Sequence, residues 1–162
     1  MIRVERAIRI EAPVDLAWQV LGDFTLGELL EGICTHVIVD GAGVGAVRTM
    51  FLEPRLGGGY VKERLESFDA NDRYLSYRMV DSGPVPFGDY LGSIRVTPAG
   101  SEACVVVMTA SFVPVEIEDE AARAISVTNI TTALANARKA VLRRLDTRPI
   151  AEKRNAQSHS TT

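Results

Sequence analysis

The sequence predicts an α+β fold: a curved, seven-stranded antiparallel sheet wrapped around one long C-terminal helix. Three observations carry this prediction. Seven runs rich in apolar, β-branched and aromatic residues are separated mostly by turns too short for crossover helices, so neighbouring strands run antiparallel as a meander. Residues 119–146 repeat apolar positions at helical spacing. Between the first and second strand-like runs lie two short helical segments.

The first run, 3–10, sets Val4, Ala7, Ile8 and Ile10 against Arg3, Glu5, Arg6 and Arg9, with an irregular alternation expected near Ala7. Pro13 suits the first position of a helix, on which Val14, Ala17, Trp18 and Leu21 share a face, Trp18 as its core anchor, and Gly22 ends it. A second short helix is expected over 24–31. Strands follow at 34–40, 44–53, 60–68, 73–81, 90–97 and 103–113, divided by Gly, Pro, Asn, Asp and Ser. The last helix carries Val127, Ile130, Leu134, Ala137, Val141 and Leu145 as its stripe. Glu118, Asp119 and Glu120 stand at its start and Arg138, Lys139, Arg143 and Arg144 near its end, which complements the helix dipole. The expected domain is 1–147, and 148–162 is a loose polar tail.

Composition bounds the function. With 162 residues, 46% hydrophobic and 24% charged, the chain can bury a real core. Its net charge of −3 offers no basic footprint for nucleic acid and no polybasic membrane signal. No apolar run is long enough to insert into a bilayer. Met1-Ile2-Arg3-Val4-Glu5-Arg6 places charges where a secretion signal needs an apolar stretch, so a cytoplasmic location is expected. Cys34 and Cys104 are expected as two buried thiols, although two cysteines could also pair. Two histidines, at 36 and 159, with separated cysteines suggest no metal site and no Cys–His or Ser–His–Asp arrangement. Gly41-Ala42-Gly43-Val44-Gly45-Ala46 fits a dinucleotide fingerprint, but strand rather than helix follows, so it reads as a hairpin and no cofactor is expected.

The informative stretch is Val61-Lys62-Glu63-Arg64-Leu65-Glu66. Alternation puts Lys62, Arg64 and Glu66 on a charged face and Val61, Glu63 and Leu65 on the core face. A carboxylate among core residues must be paired, hydrated or protonated. Glu63 therefore points to a cavity rather than a solid interior.

The chain resembles a known superfamily through the order of its elements and several local sequences. These are Ile10-Glu11-Ala12-Pro13 with Trp18 and Leu21-Gly22-Asp23-Phe24, then Gly43-Val44-Gly45-Ala46-Val47-Arg48, Glu63-Arg64-Leu65 with Asp69, and Pro86 with Tyr90. They resemble the SRPBCC superfamily of helix-grip proteins, in particular its polyketide cyclase/dehydrase and lipid-transport branch, and more distantly the plant abscisic acid receptors. The resemblance implies an apolar cavity between sheet and long helix, with Glu63 and Tyr90 facing a ligand. It matches 54–59 to the receptors' gate loop and 81–89 to their latch. The chain departs from the receptors at the gate sequence, lacks the latch's histidine–arginine pair, and has Thr35 where their carboxylate-anchoring lysine stands. Leu29-Leu30-Glu31-Gly32 departs from the tryptophan–proline pair of many bacterial members.

Strand parity and the resemblance together place Arg48, Met50, Leu52, Val61, Glu63, Tyr77, Met79, Tyr90, Met108, Phe112, Ile130 and Leu134 on a ligand. Thr35, Val37, Leu75, Gly92, Ala110, Val127, Thr131 and Arg138 fall around the same cavity. Apolar walls with a few convergent polar groups suit a small hydrophobic molecule. Arg48 and Glu63 are within ion-pair reach if their strands are neighbours. Glu63 would then be a general base, a ligand's hydrogen-bond partner, or one half of a pair that only satisfies itself. Tyr77 and Tyr90 read as pocket lining, the alternative being aromatic packing with each hydroxyl bonded to a neighbour or water; in a cyclase- or dehydratase-like enzyme, Glu63, Arg48 and Tyr90 would be the catalytic set. The expected partner is a small hydrophobic molecule, and the chain is a monomer or homodimer.

Overall fold

The computed structural model describes residues 1–148. Its elements are β1 (Ile2–Ile10), α1 (Val14–Leu21), a 3₁₀ turn (Gly27–Leu30), β2 (Cys34–Asp40), β3 (Val47–Leu52), a second 3₁₀ turn (Pro54–Leu56), β4 (Tyr60–Asp69), β5 (Tyr74–Asp81), β6 (Phe87–Pro98), β7 (Cys104–Pro114) and α2 (Asp119–Asp146). One seven-stranded sheet has the order β1-β7-β6-β5-β4-β3-β2. Every neighbouring pair is antiparallel. The strand that opens the chain thus closes the sheet beside β7, and α2 packs on β1, β7, α1 and the first 3₁₀ turn. This is the expected α+β helix-grip arrangement. No helix among the described residues is long and apolar enough to cross a membrane. The tail expected over 148–162 lies outside the described residues except for Arg148.

The centre of the interior is solid. Ile10, Leu21, Leu75, Val96, Val106, Phe112 and Val141 are essentially buried and belong to one cluster that also takes in Leu134. Cys34 and Cys104 are buried free thiols.

Several local expectations are corrected. The pairing of β1 with β7 runs without a shift, so there is no irregularity at Ala7. Instead Arg6 shares the inward parity of Ile2, Val4, Ile8 and Ile10 yet stays exposed, donating to Glu5 O at 2.7 Å. The second helix shrinks to one 3₁₀ turn. Asp23 competes for the backbone here: its Oδ1 accepts from Thr25 N at 2.9 Å and from Thr25 Oγ1 at 2.6 Å, which spends residues 23–25 on a turn. β3 begins at Val47 rather than 44, because Gly41, Gly43 and Gly45 all have positive φ (85°, 67° and 96°). That backbone is a glycine hairpin with no helix behind it, so it offers no cradle for a dinucleotide.

The buried face of α2 is broader than its apolar stripe. It includes Ala122, Ser126, Asn136 and Ala140, whereas Val127 and Leu145 are only half-buried. Asn136 explains its own burial. Its Nδ2 donates to Leu29 O at 3.1 Å and Glu31 O at 2.9 Å, satisfying carbonyls at the end of the first 3₁₀ turn. Glu28 in that turn also pairs with Arg143 (3.3 Å) and Arg144 (3.1 Å). The turn is therefore fastened to α2 at several points.

Candidate functional site

Arg48 and Glu63 are direct register partners on β3 and β4. Both side chains are inside the protein, 7% and 6% exposed. Arg48 donates from Nε (2.9 Å) and from Nη2 (2.6 Å), and both bonds land on the same atom, Glu63 Oε2. Arg48 Nη1 donates to Phe24 O at 3.4 Å. The guanidinium carbon lies 4.3 Å from the centre of the Phe24 ring and 4.9 Å from that of Tyr77. Two aromatic faces thus cover the cation while its edge is spent on protein oxygens. Burial by itself would lower the Arg48 pKa; the charge of Glu63, with Tyr77 next, outweighs it, and the net shift is upward. No protein donor bonds Glu63 Oε1 among the described residues, and Glu63 lines a cavity.

That cavity measures about 110 Å³ and lies between the sheet and α2. Of the expected ligand-facing residues, Arg48, Met50, Leu52, Val61, Glu63, Tyr77, Met79, Tyr90, Met108 and Ile130 line it. Phe112 and Leu134 do not: both are packed into the solid core beside it. Leu75, Gly92, Ala110, Val37 and Val127 are also not lining residues, and Thr131 and Arg138 are exposed on α2.

Thr35 is displaced by a β-bulge. Cys34 pairs with Leu52 and His36 with Phe51, so Thr35 is the extra residue, exposed and bonded to Phe51 O at 3.3 Å. The bulge turns Cys34 inward in its place. Burial, with the Glu63 charge second, pushes the Cys34 thiol up to about 11. It is a protonated wall group rather than a nucleophile. A second bulge in β6, where Asp89 has φ 49°, turns both Phe87 and Tyr90 inward. Leu30, Ile33, Val85, Asn129 and Ala133 complete the wall, and none was anticipated from periodicity. The first three belong to loops and turns, for which parity has no meaning, and the last two lie one helical step from Ile130.

The tyrosines form an aromatic wall. Tyr77 and Tyr90 stack at 6.5 Å between ring centres, Phe87 and Tyr90 at 5.9 Å, and Phe87 meets Phe112 at 4.2 Å. Burial first, and the Glu63 carboxylate next, push Tyr77 up to about 12. Burial and then Tyr77 push Tyr90 well above the ordinary tyrosine value. Both hydroxyls are therefore protonated donors at neutral pH. Gly92 makes room for the first ring: a Cβ there would sit 2.3 Å from Tyr77 Cε2.

His36 is outside the cavity, stacked on Phe51 at 4.2 Å, and His159 lies outside the described residues. Among the described residues no three His, Cys, Asp or Glu side chains gather to hold a metal ion.

An apolar cavity in the grip of a long helix, with one buried ion pair and an aromatic wall, is the frame in which the relatives of this chain can be compared. The sequence profile of the family described as polyketide cyclase/dehydrase and lipid transport matches residues 1–148. The chain belongs to that family. A comparison with curated proteins finds no sequence match. Among solved structures the chain is similar to the protein XoxI from Bacillus cereus, with 26% identity, a TM-score of 0.76, and coverage of 88% of this chain and 96% of that one. It is similar in fold to the Zhui aromatase/cyclase from Streptomyces, with 23% identity, a TM-score of 0.77, and coverage of 89% and 95%. It is also similar in fold to truncated norcoclaurine synthase from Thalictrum flavum, with 20% identity, a TM-score of 0.73, and coverage of 91% and 95%. Family membership supports a ligand-binding or cyclase-like function.

Proposed function

We propose that the chain binds a small hydrophobic molecule in the cavity between the sheet and α2, with Glu63 as its polar anchor. The observation that carries this reading is the one-sided ion pair. Arg48 occupies Oε2 and leaves Oε1 of Glu63 without a protein donor among the described residues, in a cavity otherwise walled by side chains such as Met50, Leu52, Val61, Met79 and Ile130. A pair that existed only to satisfy itself would use both oxygens, as bidentate Arg–carboxylate pairs do. An acceptor that faces an otherwise apolar cavity is satisfied only when water or a ligand donates to it. Arg48 fixes the carboxylate in place, and Tyr77 and Tyr90 add hydroxyls beside it.

A second reading has a specific observation in its favour. A carboxylate acceptor beside two protonated tyrosines has the parts for moving a proton from a carbon acid and steadying the enolate oxygen. In a cyclase- or dehydratase-like reaction Glu63 would be the general base, Tyr90 the donor to the oxygen, and Arg48 the residue that positions Glu63. A thermal-shift screen of hydrophobic compounds, followed by product analysis of the hits, separates the two. Binders recovered unchanged support carriage. Turnover that disappears in Glu63→Gln supports catalysis, and turnover that survives it rules out Glu63 as the base. A screen with no stabilising compound at all would refute the binding reading.

A further inference from the structure

We infer that the cavity selects a neutral, single-ring aromatic molecule bearing a hydroxyl donor and rejects anions. This rests on the ligand-binding reading above and deepens it by naming the ligand class. The first argument is size. A cavity of about 110 Å³ is comparable to the ~150 Å³ engineered cavity that takes up benzene, and far below the ~300–1,000 Å³ of drug-sized sites. One ring fits without rearrangement. The wall suits a ring, because Met50, Met79 and Met108 all line it and thioethers both adapt in shape and contact aromatic edges favourably.

The second argument is polarity. The one cation among the described lining residues is already engaged by the protein: Nε and Nη2 donate to Glu63, Nη1 donates to Phe24 O, and the Phe24 and Tyr77 rings pack against the guanidinium. What the cavity presents is an acceptor, Glu63 Oε1. A carboxylate ligand would meet it with like charge. An ammonium ligand would leave a net positive charge in a low-dielectric interior, because Arg48 already balances Glu63. A neutral O–H donor satisfies Oε1 and leaves the pair's charge balance intact.

The third argument is the surface around the cavity's end of the sheet, where the β3–β4, β5–β6 and β7–α2 connections meet. Glu53, Asp81, Asp89, Glu116 and Glu118 stand there, and none makes an ion pair among the described residues. Arg55, the one basic residue in these connections, is turned onto Gly32 O. Lys62, the register partner of Asp81, is the neighbouring cation on β4, and the five carboxylates outnumber it and Arg55, so an anion approaching these connections meets mainly like charge.

Four probes of matched size test the inference: p-cresol, toluene, benzylamine and benzoate, each titrated into the isotope-labelled protein at pH 7 and followed by NMR at the lining residues. The expected order is p-cresol tightest, about tenfold tighter than toluene from one hydrogen bond to a charged acceptor, with benzylamine weaker than p-cresol and benzoate showing no saturable binding. In the double variant R48M/E63L the preference of p-cresol over toluene disappears. Benzoate or benzylamine binding as tightly as p-cresol, or p-cresol no tighter than toluene, overturns the donor selectivity while leaving the cavity reading in place. If none of the four perturbs the lining resonances, the ligand cavity itself is refuted, and the selectivity with it.

Discussion

Replacing Arg48 by methionine should destabilise the protein far more than replacing both members of its pair. Met keeps the unbranched apolar stem of Arg48 but ends where Nε stood, so the change removes the charge and hydrogen bonds together with the guanidinium's packing on Phe24 and Tyr77. It strands Glu63, whose side chain is 6% exposed and loses both bonds to Oε2. With both partners this deeply buried there is little solvent screening to discount. Removing one partner of a buried pair typically costs ~3–5 kcal/mol. Because the cavity borders Glu63 and can admit water, the lower half of that range is expected. Glu63→Leu alone strands Arg48 instead, which still keeps Phe24 O and two ring faces, and should cost about 2–4 kcal/mol. The double variant R48M/E63L removes both charges and their desolvation together, and replacement of such pairs by apolar residues is often neutral or stabilising. It should lie within about 1 kcal/mol of the parent, so the coupling energy from the cycle is several kcal/mol. Urea denaturation at pH 7, with parallel slopes across the four proteins, gives all the terms. Two small, additive single-variant effects would refute the claim that Arg48 and Glu63 are strongly coupled in the interior. If one single variant does not fold, recovery of folding in the double variant carries the same information.

The remaining predictions concern the residues that shape the cavity. Gly92→Ala should destabilise the fold by about 1–3 kcal/mol, since its Cβ would fall 2.3 Å from Tyr77 Cε2 and 2.6 Å from the Tyr77 hydroxyl and the ring has to leave its place; an unchanged unfolding midpoint would contradict this. Asn136→Ala should cost about 1–3 kcal/mol by orphaning the Leu29 and Glu31 carbonyls, and should raise hydrogen exchange locally in residues 27–34. Ultraviolet titration should show a tyrosine ionising near pH 12 that is absent in Tyr77→Phe; its folded value is raised, so the stability it contributes is complete below about pH 10 and is lost as pH rises through 12. A thiol reagent should label Cys34 only slowly at neutral pH in the folded protein, and p-cresol should slow it further; fast labelling would show that the wall around Cys34 is open.

How much of this was legible in the sequence depends on where the β-pleat stays regular. Glu63, Val61, Arg48 and Met50 face the interior because β3 and β4 pair without a shift over those residues, so strict alternation holds. The same logic failed at Thr35, where one extra residue reverses parity and hands the inward position to Cys34. It missed Phe87 because the strand was expected to begin at 90, and the extra residue at Asp89 flips the face of everything before it. Phe112 and Leu134 show a different limit. Both do point inward, as periodicity requires, but inward includes both core and cavity, and only packing distinguishes them. The function of Asn136 was also out of reach, since its carbonyl partners lie more than a hundred residues away.

The bulges that defeated parity also explain why there is a cavity at all. The pairings β1–β7, β3–β4 and β5–β6 are regular, and the shifts fall at Cys34/His36, Lys62/Glu63, Leu65/Ser67 and Gly88/Leu91. Three of those four flank a lining residue: Cys34, Glu63 and Phe87. A bulge bends its strand and increases local twist. The extra residues at this end of the sheet are Thr35 in β2, Val80 in β5 and Asp89 in β6, so those three strands bend beside the cavity, while Ile10, Val96 and Val106 at the far end are fully packed. Space opened this way exposes a pair such as Arg48–Glu63 to a cavity on one side only. The acceptor is then held on a rigid strand rather than on a loop, which is the condition for a polar contact that discriminates between ligands instead of adapting to all of them.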